Sequence, residues 1–210
     1  AKSSQASTGW EIFSEKQKLG VELWVRDTEN KIIPQVDTDP LLGTEQAVGG
    51  EVFYQLSLGE RLISRTAISS VNSWLLYQGE HHHSIYHQPF SINTQVSWRN
   101  DRWMMGLRYR YSIGLPTIEP EDAVYQANSD TYTAIWEDFP TGQMPDYQKW
   151  DAQIARFWMH KDWNFKVYCE TWYVPSQSNF LYPIYNYNYT EKQLVVGPPF
   201  VPLLGFSVQR

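Results

Sequence analysis

A single cysteine, Cys169, cannot close a disulfide within the chain, so cysteine usage names no redox compartment. Long hydrophobic runs are missing as well. No stretch approaches the ~18 apolar residues that a spanning helix needs, and the mean hydropathy of −0.50 agrees, which excludes a helical membrane protein but not a β-barrel. Positive charge is scarce: Lys and Arg number 17 against 23 Asp and Glu, a net charge of −6 that leaves no footprint for nucleic acid. No helical period of length comparable to the strand runs appears. Absent too are a Gly-x-Ser-x-Gly elbow in the serine-rich run 68–73, a phosphate-cradling glycine loop and a metalloprotease signature, so no enzymatic activity and no cofactor are expected. What the chain has in excess is aromatic side chains, 16% of its residues with 10 Trp and 14 Tyr. Such rings suit any boundary where an apolar body meets a polar medium.

Period-two alternation is clearest from Phe90 to Tyr111. Phe90, Ile92, Thr94, Val96 and Trp98 alternate with Ser91, Asn93, Gln95, Ser97 and Arg99; after Asn100-Asp101, Trp103, Met105, Leu107, Tyr109 and Tyr111 alternate with Met104, Gly106, Arg108 and Arg110. This predicts a hairpin. Similar runs predict strands over 17–27, 51–58, 62–74, 149–158, 163–173 and 201–208, giving about eight antiparallel strands in an all-β chain. The connections alternate in length: long over 27–47, 75–88, 113–146 and 174–199, short around Gly59, Asn100 and Lys161. Strands of about 10 to 12 residues, short turns at one end and long loops at the other match a transmembrane β-barrel better than a lipocalin-like barrel or a sandwich. In this reading residues 1–16 form a periplasmic segment and 17–210 the barrel or barrel wall. A small first residue, Ala1, fits the mature end left by signal-peptide cleavage.

The candidate site residues follow from phase. Trp98, Trp103, Trp158 and Trp163 flank two short turns in the apolar phase and are expected to form one membrane-interface girdle. Tyr109, Tyr111, Trp150 and Tyr173 stand near the opposite strand ends. In the other phase lie Arg108, Arg110, Lys149, Asp151, Lys166 and Glu170. They are expected to line the lumen, because Lys or Arg facing lipid at mid-depth costs about 2–4 kcal/mol. A structural ion-pair network is favoured over catalysis for these charges. His81, His82, His83 and His87 share one loop, but consecutive imidazoles in extended chain diverge, so no metal site is expected. His160 in a turn and Cys169 in the outward phase are not placed for a nucleophile pair.

Gly114-Leu-Pro-Thr, Pro145-Asp-Tyr-Gln-Lys-Trp-Asp151, the run Trp163 to Tyr173, Asn179, the Tyr-rich run Tyr182 to Tyr189 and Pro198-Pro-Phe-Val-Pro-Leu-Leu-Gly205 together resemble the C-terminal strands of TonB-dependent outer-membrane receptors. Leu23-Trp-Val-Arg-Asp-Thr-Glu-Asn-Lys-Ile32 is similar to an earlier hairpin of those barrels. The resemblance implies a bacterial outer-membrane location, with loops 113–146 and 174–199 outside. It does not extend to energy-coupled transport, since the sixteen residues before the first expected strand cannot hold a plug. The expected function is therefore a porin-like passive pore or structural barrel in the lipid bilayer, assembled as a homo-oligomer of about three copies. The alternative is a surface-binding, adhesion or metal-binding protein whose loops engage a partner while the barrel anchors them.

Overall fold

The computed structural model describes residues 1–33, 41–173, 180–198 and 200–210. Sixteen strands and no helix occur among them: β1 (Lys2–Phe13), β2 (Gln17–Ile33), β3 (Leu41–Leu58), β4 (Leu62–Tyr77), β5 (Glu80–His83), β6 (Gln88–Arg99), β7 (Trp103–Ser112), β8 (Pro116–Thr117), β9 (Pro120–Gln126), β10 (Thr131–Trp136), β11 (Gly142–Gln143), β12 (Tyr147–His160), β13 (Trp163–Tyr173), β14 (Phe180–Tyr185), β15 (Lys192–Val196) and β16 (Phe200–Gln209). The long strands form one antiparallel meander in the order β1-β2-β3-β4-β6-β7-β12-β13-β16, with β5 beside β4. All eight expected strands are present. The all-β, antiparallel expectation holds, but no closed barrel forms: β1 and β16 end the order and do not pair with each other.

Two expectations need correction. Residues 2–13 are not a segment preceding the sheet but a ninth long strand, paired with β2 along its length from Lys2↔Glu29 to Phe13↔Lys18. Most of the expected loop 27–47 is also strand, because β2 runs on to Ile33 and β3 begins at Leu41, leaving only 34–40, which lie outside the described residues. The alternation of connections survives these changes, with short turns at 14–16, 59–61, 100–102 and 161–162.

The short turns have local causes. Ser14 Oγ accepts the amide hydrogen of Gln17 at 3.1 Å, and Asn100 Oδ1 accepts those of Arg102 and Trp103 at 2.8 and 2.7 Å, an Asx arrangement that reverses the chain. Gly59 adopts φ 67°, a value that suits glycine. Gln78 and Gly79, at φ 50° and 88°, make the two-residue turn into β5, as a primed hairpin turn demands. The other long connections carry their own small hairpins, β9–β10 with β8–β11 inside 113–146, and β14–β15 inside 174–199.

No hydrophobic core sits between layers. Apart from Ile33, Leu75 and three alanines, the described apolar residues all keep some exposure, and the substantial contacts between elements join hydrogen-bonded neighbours. The molecule's main body is a single sheet, whereas a water-soluble domain buries a sheet face against a second layer.

Candidate functional site: the two faces of the sheet

Cross-strand partners share a face, so the register assigns every side chain. One face is apolar from edge to edge: Trp10 and Ile12 on β1; Leu19, Val21, Leu23 and Val25 on β2; Val48, Val52 and Tyr54 on β3; Ile68 on β4; Ile92, Val96 and Trp98 on β6. It continues through Trp103, Met105, Leu107 and Tyr109 on β7, Trp150, Ile154 and Trp158 on β12, Trp163, Phe165 and Val167 on β13, and Leu204, Phe206 and Val208 on β16. Its large side chains stay exposed: Leu204 is 83% accessible, Phe206 61%, Leu23 58% and Leu107 47%. The charge that interrupts its middle strands, Arg156, lies with its guanidinium 5.3 Å from the ring centre of Trp103, near the short-turn end.

The opposite face holds all six expected lumen residues. Arg108 stands across from Asp151, Arg110 from Lys149, and Glu170 from Gln153. Asp151 accepts a hydrogen bond from the Arg110 guanidinium at 2.9 Å, while Lys149 Nζ reaches its other oxygen at 3.0 Å as an ion pair. Arg108 donates to Gln95 Oε1 at 3.0 Å, and Gln153 Nε2 donates to Glu170. Lys166 Nζ lies 4.5 Å from the ring centre of Tyr168 and 6.0 Å from that of Phe157. Two glycines on this face are covered by aromatic neighbours: a Cβ on Gly49 would fall 2.3 Å from the Trp24 ring, and one on Gly205 2.0 Å from Tyr168. These rings lie over the backbone of the facing strand, a device that pins register.

The four girdle tryptophans are on the apolar face, but not in one lateral row. Trp98 aligns with Met105, Ile154 and Cys169; Trp103 with Arg156 one row on; Trp158 with Phe165 in the next; Trp163 with His160 in the last. The step has a geometric meaning. Ile12, beside the first short turn, aligns across the sheet with Leu19, Tyr54, Thr66, Thr94, Tyr109, Trp150 and Tyr173, and Trp150 is far from the last short turn. The turns are thus staggered by about nine residues, ~30 Å at ~3.3 Å each, over six strand spacings of ~4.8 Å. Turns brought to one level would give strands tilted by roughly 45°, and the tryptophans would then follow that level. Along β13, Trp163 and Tyr173 would stand about 23 Å apart in height, close to the ~25 Å apolar band of membrane barrels.

Sequence reasoning missed a buried polar cluster at the long-loop end of the charged face. Glu45, 2% exposed, accepts hydrogen bonds from Ser84 Oγ at 2.7 Å and Ser73 Oγ at 3.2 Å, and pairs with Lys31 at 2.5 Å and Arg26 at 3.5 Å. The turn 84–87 between β5 and β6 is thereby drawn onto the sheet. His87 Nδ1 accepts the Ser73 amide hydrogen at 3.3 Å, and Lys31 sits 4.8 Å from the Tyr86 ring centre. Burial, and then the charge of His83, keep His87 below the ordinary histidine value. The other histidines diverge: His82 stacks on Phe139 at 3.7 Å and His83 packs against His87 at 4.2 Å, and no group of metal ligands forms among the described residues. His160 and Cys169 share the apolar face but lie several rows apart.

The two outermost connections clasp each other through rings. Tyr132 meets Tyr125 at 5.2 Å and Tyr187 at 5.4 Å, Trp136 meets Tyr185 at 5.9 Å, and Lys192 pairs with Glu119. Of the stretches expected to lie outside, Asn179 and the rest of 174–179 fall beyond the described residues. No protein-family model matches the chain, and no curated protein matches it, so the reading of its function rests on this geometry.

Proposed function

We propose that this sheet is wall of an outer-membrane β-barrel, with the apolar face against lipid and the charged face towards an aqueous lumen, serving as a passive pore or structural barrel. The observation that carries the reading is the uncovered apolar face: each of the nine long strands keeps exposed large apolar side chains on it, while on β12 Lys149 and Asp151, on the charged face, are 13% and 21% exposed at the side chain. Leaving some two dozen large apolar side chains in water, at about 1.5–3 kcal/mol each, forgoes tens of kcal/mol. Hydrocarbon removes that cost. The oblique tryptophan line and the ~45° stagger support the same reading, as does the resemblance to receptor barrels. Arg156 near the short turns can extend to headgroup level.

Quenching by lipid tests it. In liposomes of lipids brominated near the headgroup, the fluorescence lost on Trp98→Phe, Trp103→Phe, Trp158→Phe or Trp163→Phe substitution should be the strongly quenched component; bromines at the chain ends should instead favour signals from mid-strand probes at Leu107 or Val167. Equal protection of all four indoles from both lipids would sink the reading, and would point to a second protein layer over the apolar face.

Open edges extend the proposal to assembly. The outer backbone groups of β1 and β16 cannot face hydrocarbon unpaired, and we propose strands of another copy of this chain as their partners. Because β1 rather than β2 is the edge, cysteines at Thr8 and Phe206, in a Cys169→Ser background, are the informative pair. Oxidation in membranes should give crosslinked oligomers, and a crosslink confined to single chains of monomer mass would show a barrel closing by itself.

A second reading, recognition of a partner by the outer hairpins, draws on the exposed Tyr125, Tyr182 and Tyr187 around the aromatic clasp. It requires only that the barrel anchor these loops.

A further inference from the structure

Resting on the proposal of an aqueous lumen, we infer that the charged face of β6, β7, β12 and β13 selects small anions, chloride and phosphate-sized oxyanions, for passage. The register places five cations there, Arg99, Arg108, Arg110, Lys149 and Lys166, against two acids, Asp151 and Glu170. Asp151 is shared by Arg110 and Lys149, whereas Glu170, hydrogen-bonded by the neutral amide of Gln153, keeps its charge, so five cations less two acids leave a net +3 on this face of these strands. Arg99, Arg108 and Lys166 form no ion pair among the described residues: Arg108 meets the neutral amide of Gln95, and Arg99 and Lys166 lie 5.5 and 6.0 Å from the ring centre of Phe157. Arg110 Nε is also buried without a hydrogen-bond partner.

These groups form a column rather than a patch. Arg99 and Lys166 stand near the short turns, Arg108 farther up the strands, and Arg110 with Lys149 towards the long loops. Uncompensated positive charge along a lumen wall must be balanced by mobile counter-ions, and a chain of such sites allows an anion to pass from one to the next. The long-loop rim acts in the opposite sense, since residues 113–146 carry seven Asp and Glu and no Lys, Arg or His. At 0.1–0.15 M salt that field decays within ~8–10 Å, whereas interior charges are screened less, so the column sets the selectivity. Below ~0.01 M salt the rim's field reaches ~30 Å and opposes anion entry.

The test is the reversal potential of the full chain in planar bilayers under a tenfold KCl gradient, with insertion followed in parallel by brominated-lipid quenching. The wild type should favour chloride over potassium by about threefold or more, with phosphate reducing the chloride current. Arg108→Glu combined with Lys166→Glu should invert the preference while quenching stays unchanged. A cation-selective or unselective wild type, or a double variant with unaltered selectivity, overturns the inference. A chain that inserts but passes no current overturns it and leaves the membrane wall standing; one that fails to insert overturns the wall and the inference together.

Discussion

Glu45→Ala should lower the unfolding free energy by about 3 kcal/mol and release the 84–87 turn from the sheet. Removing one partner of a buried ion pair costs about 3–5 kcal/mol when the other charge is trapped. Here Lys31 and Arg26 keep 23% and 37% side-chain exposure and can turn towards water, which reduces the electrostatic part. Ser73 and Ser84, however, are 0% and 1% exposed, and each would lose its acceptor at roughly 1 kcal/mol or more. Glu45→Gln keeps a side-chain acceptor for the serines but not the charge, so it should fall about halfway between the parent and Glu45→Ala. The urea midpoint of the reconstituted protein, read at constant slope, measures the loss. Chymotrypsin cleavage after Tyr86 reports the turn, and should accelerate at least tenfold in the alanine variant. A midpoint shift worth under ~0.5 kcal/mol, with Tyr86 still protected, would mean that the cluster does not hold the turn.

The contrast between this cluster and the sheet shows what local sequence can reveal. On β6, β7 and β13 one phase is apolar and the other mostly polar, and period two is visible in any ten-residue window. From Asp27 on β2 and before Gly49 on β3 both phases carry polar groups, Asp27, Glu29 and Lys31 on β2 and Thr44, Glu45 and Gln46 on β3, and the register shifts between Thr28 and Lys31, so the alternation that marks a strand vanishes although β2 runs on to Ile33. β1 was hidden for a related reason, since Ser3, Ser4, Gln5, Ser7 and Thr8 lack contrast and only Trp10 and Ile12 show the apolar phase. The charged-face residues near Asp151 were legible because phase alone fixes their side of the sheet. The Glu45 cluster was not, as it joins positions 31, 45, 73 and 84, brought together only by register across three strands and a returning turn. The Gln78-Gly79 pair was the one local hint that β5 would fold back beside β4.

Leu107→Arg offers the sharpest distinction between a lipid-facing sheet and a soluble sheet awaiting a protein cover. Leu107 is 47% exposed, sits between Val96 and Ala152 across the sheet, and is four residues beyond Trp103 on a strand that ends at Ser112, which places it near mid-depth of the apolar band. In the proposed membrane wall an arginine there would face hydrocarbon at a cost of about 2–4 kcal/mol, a 30- to 1,000-fold shift against the inserted state. The side chain extends towards a headgroup layer that lies ~10 Å or more away on either side, so it cannot be relieved by a small rotation. The native Arg156 differs in position: it shares the row of Trp103 near the short turns, where a guanidinium extends to headgroup level. Folding into liposomes, followed by band shift and tryptophan fluorescence, should fall sharply for Leu107→Arg and hardly at all for Gly106→Ser on the charged face, where the nearest atoms to an added Cβ are 4.0 Å away. In water the exposed apolar face would gain solubility from the arginine. Improved solubility with unchanged membrane folding would therefore remove lipid as the occupant of this face.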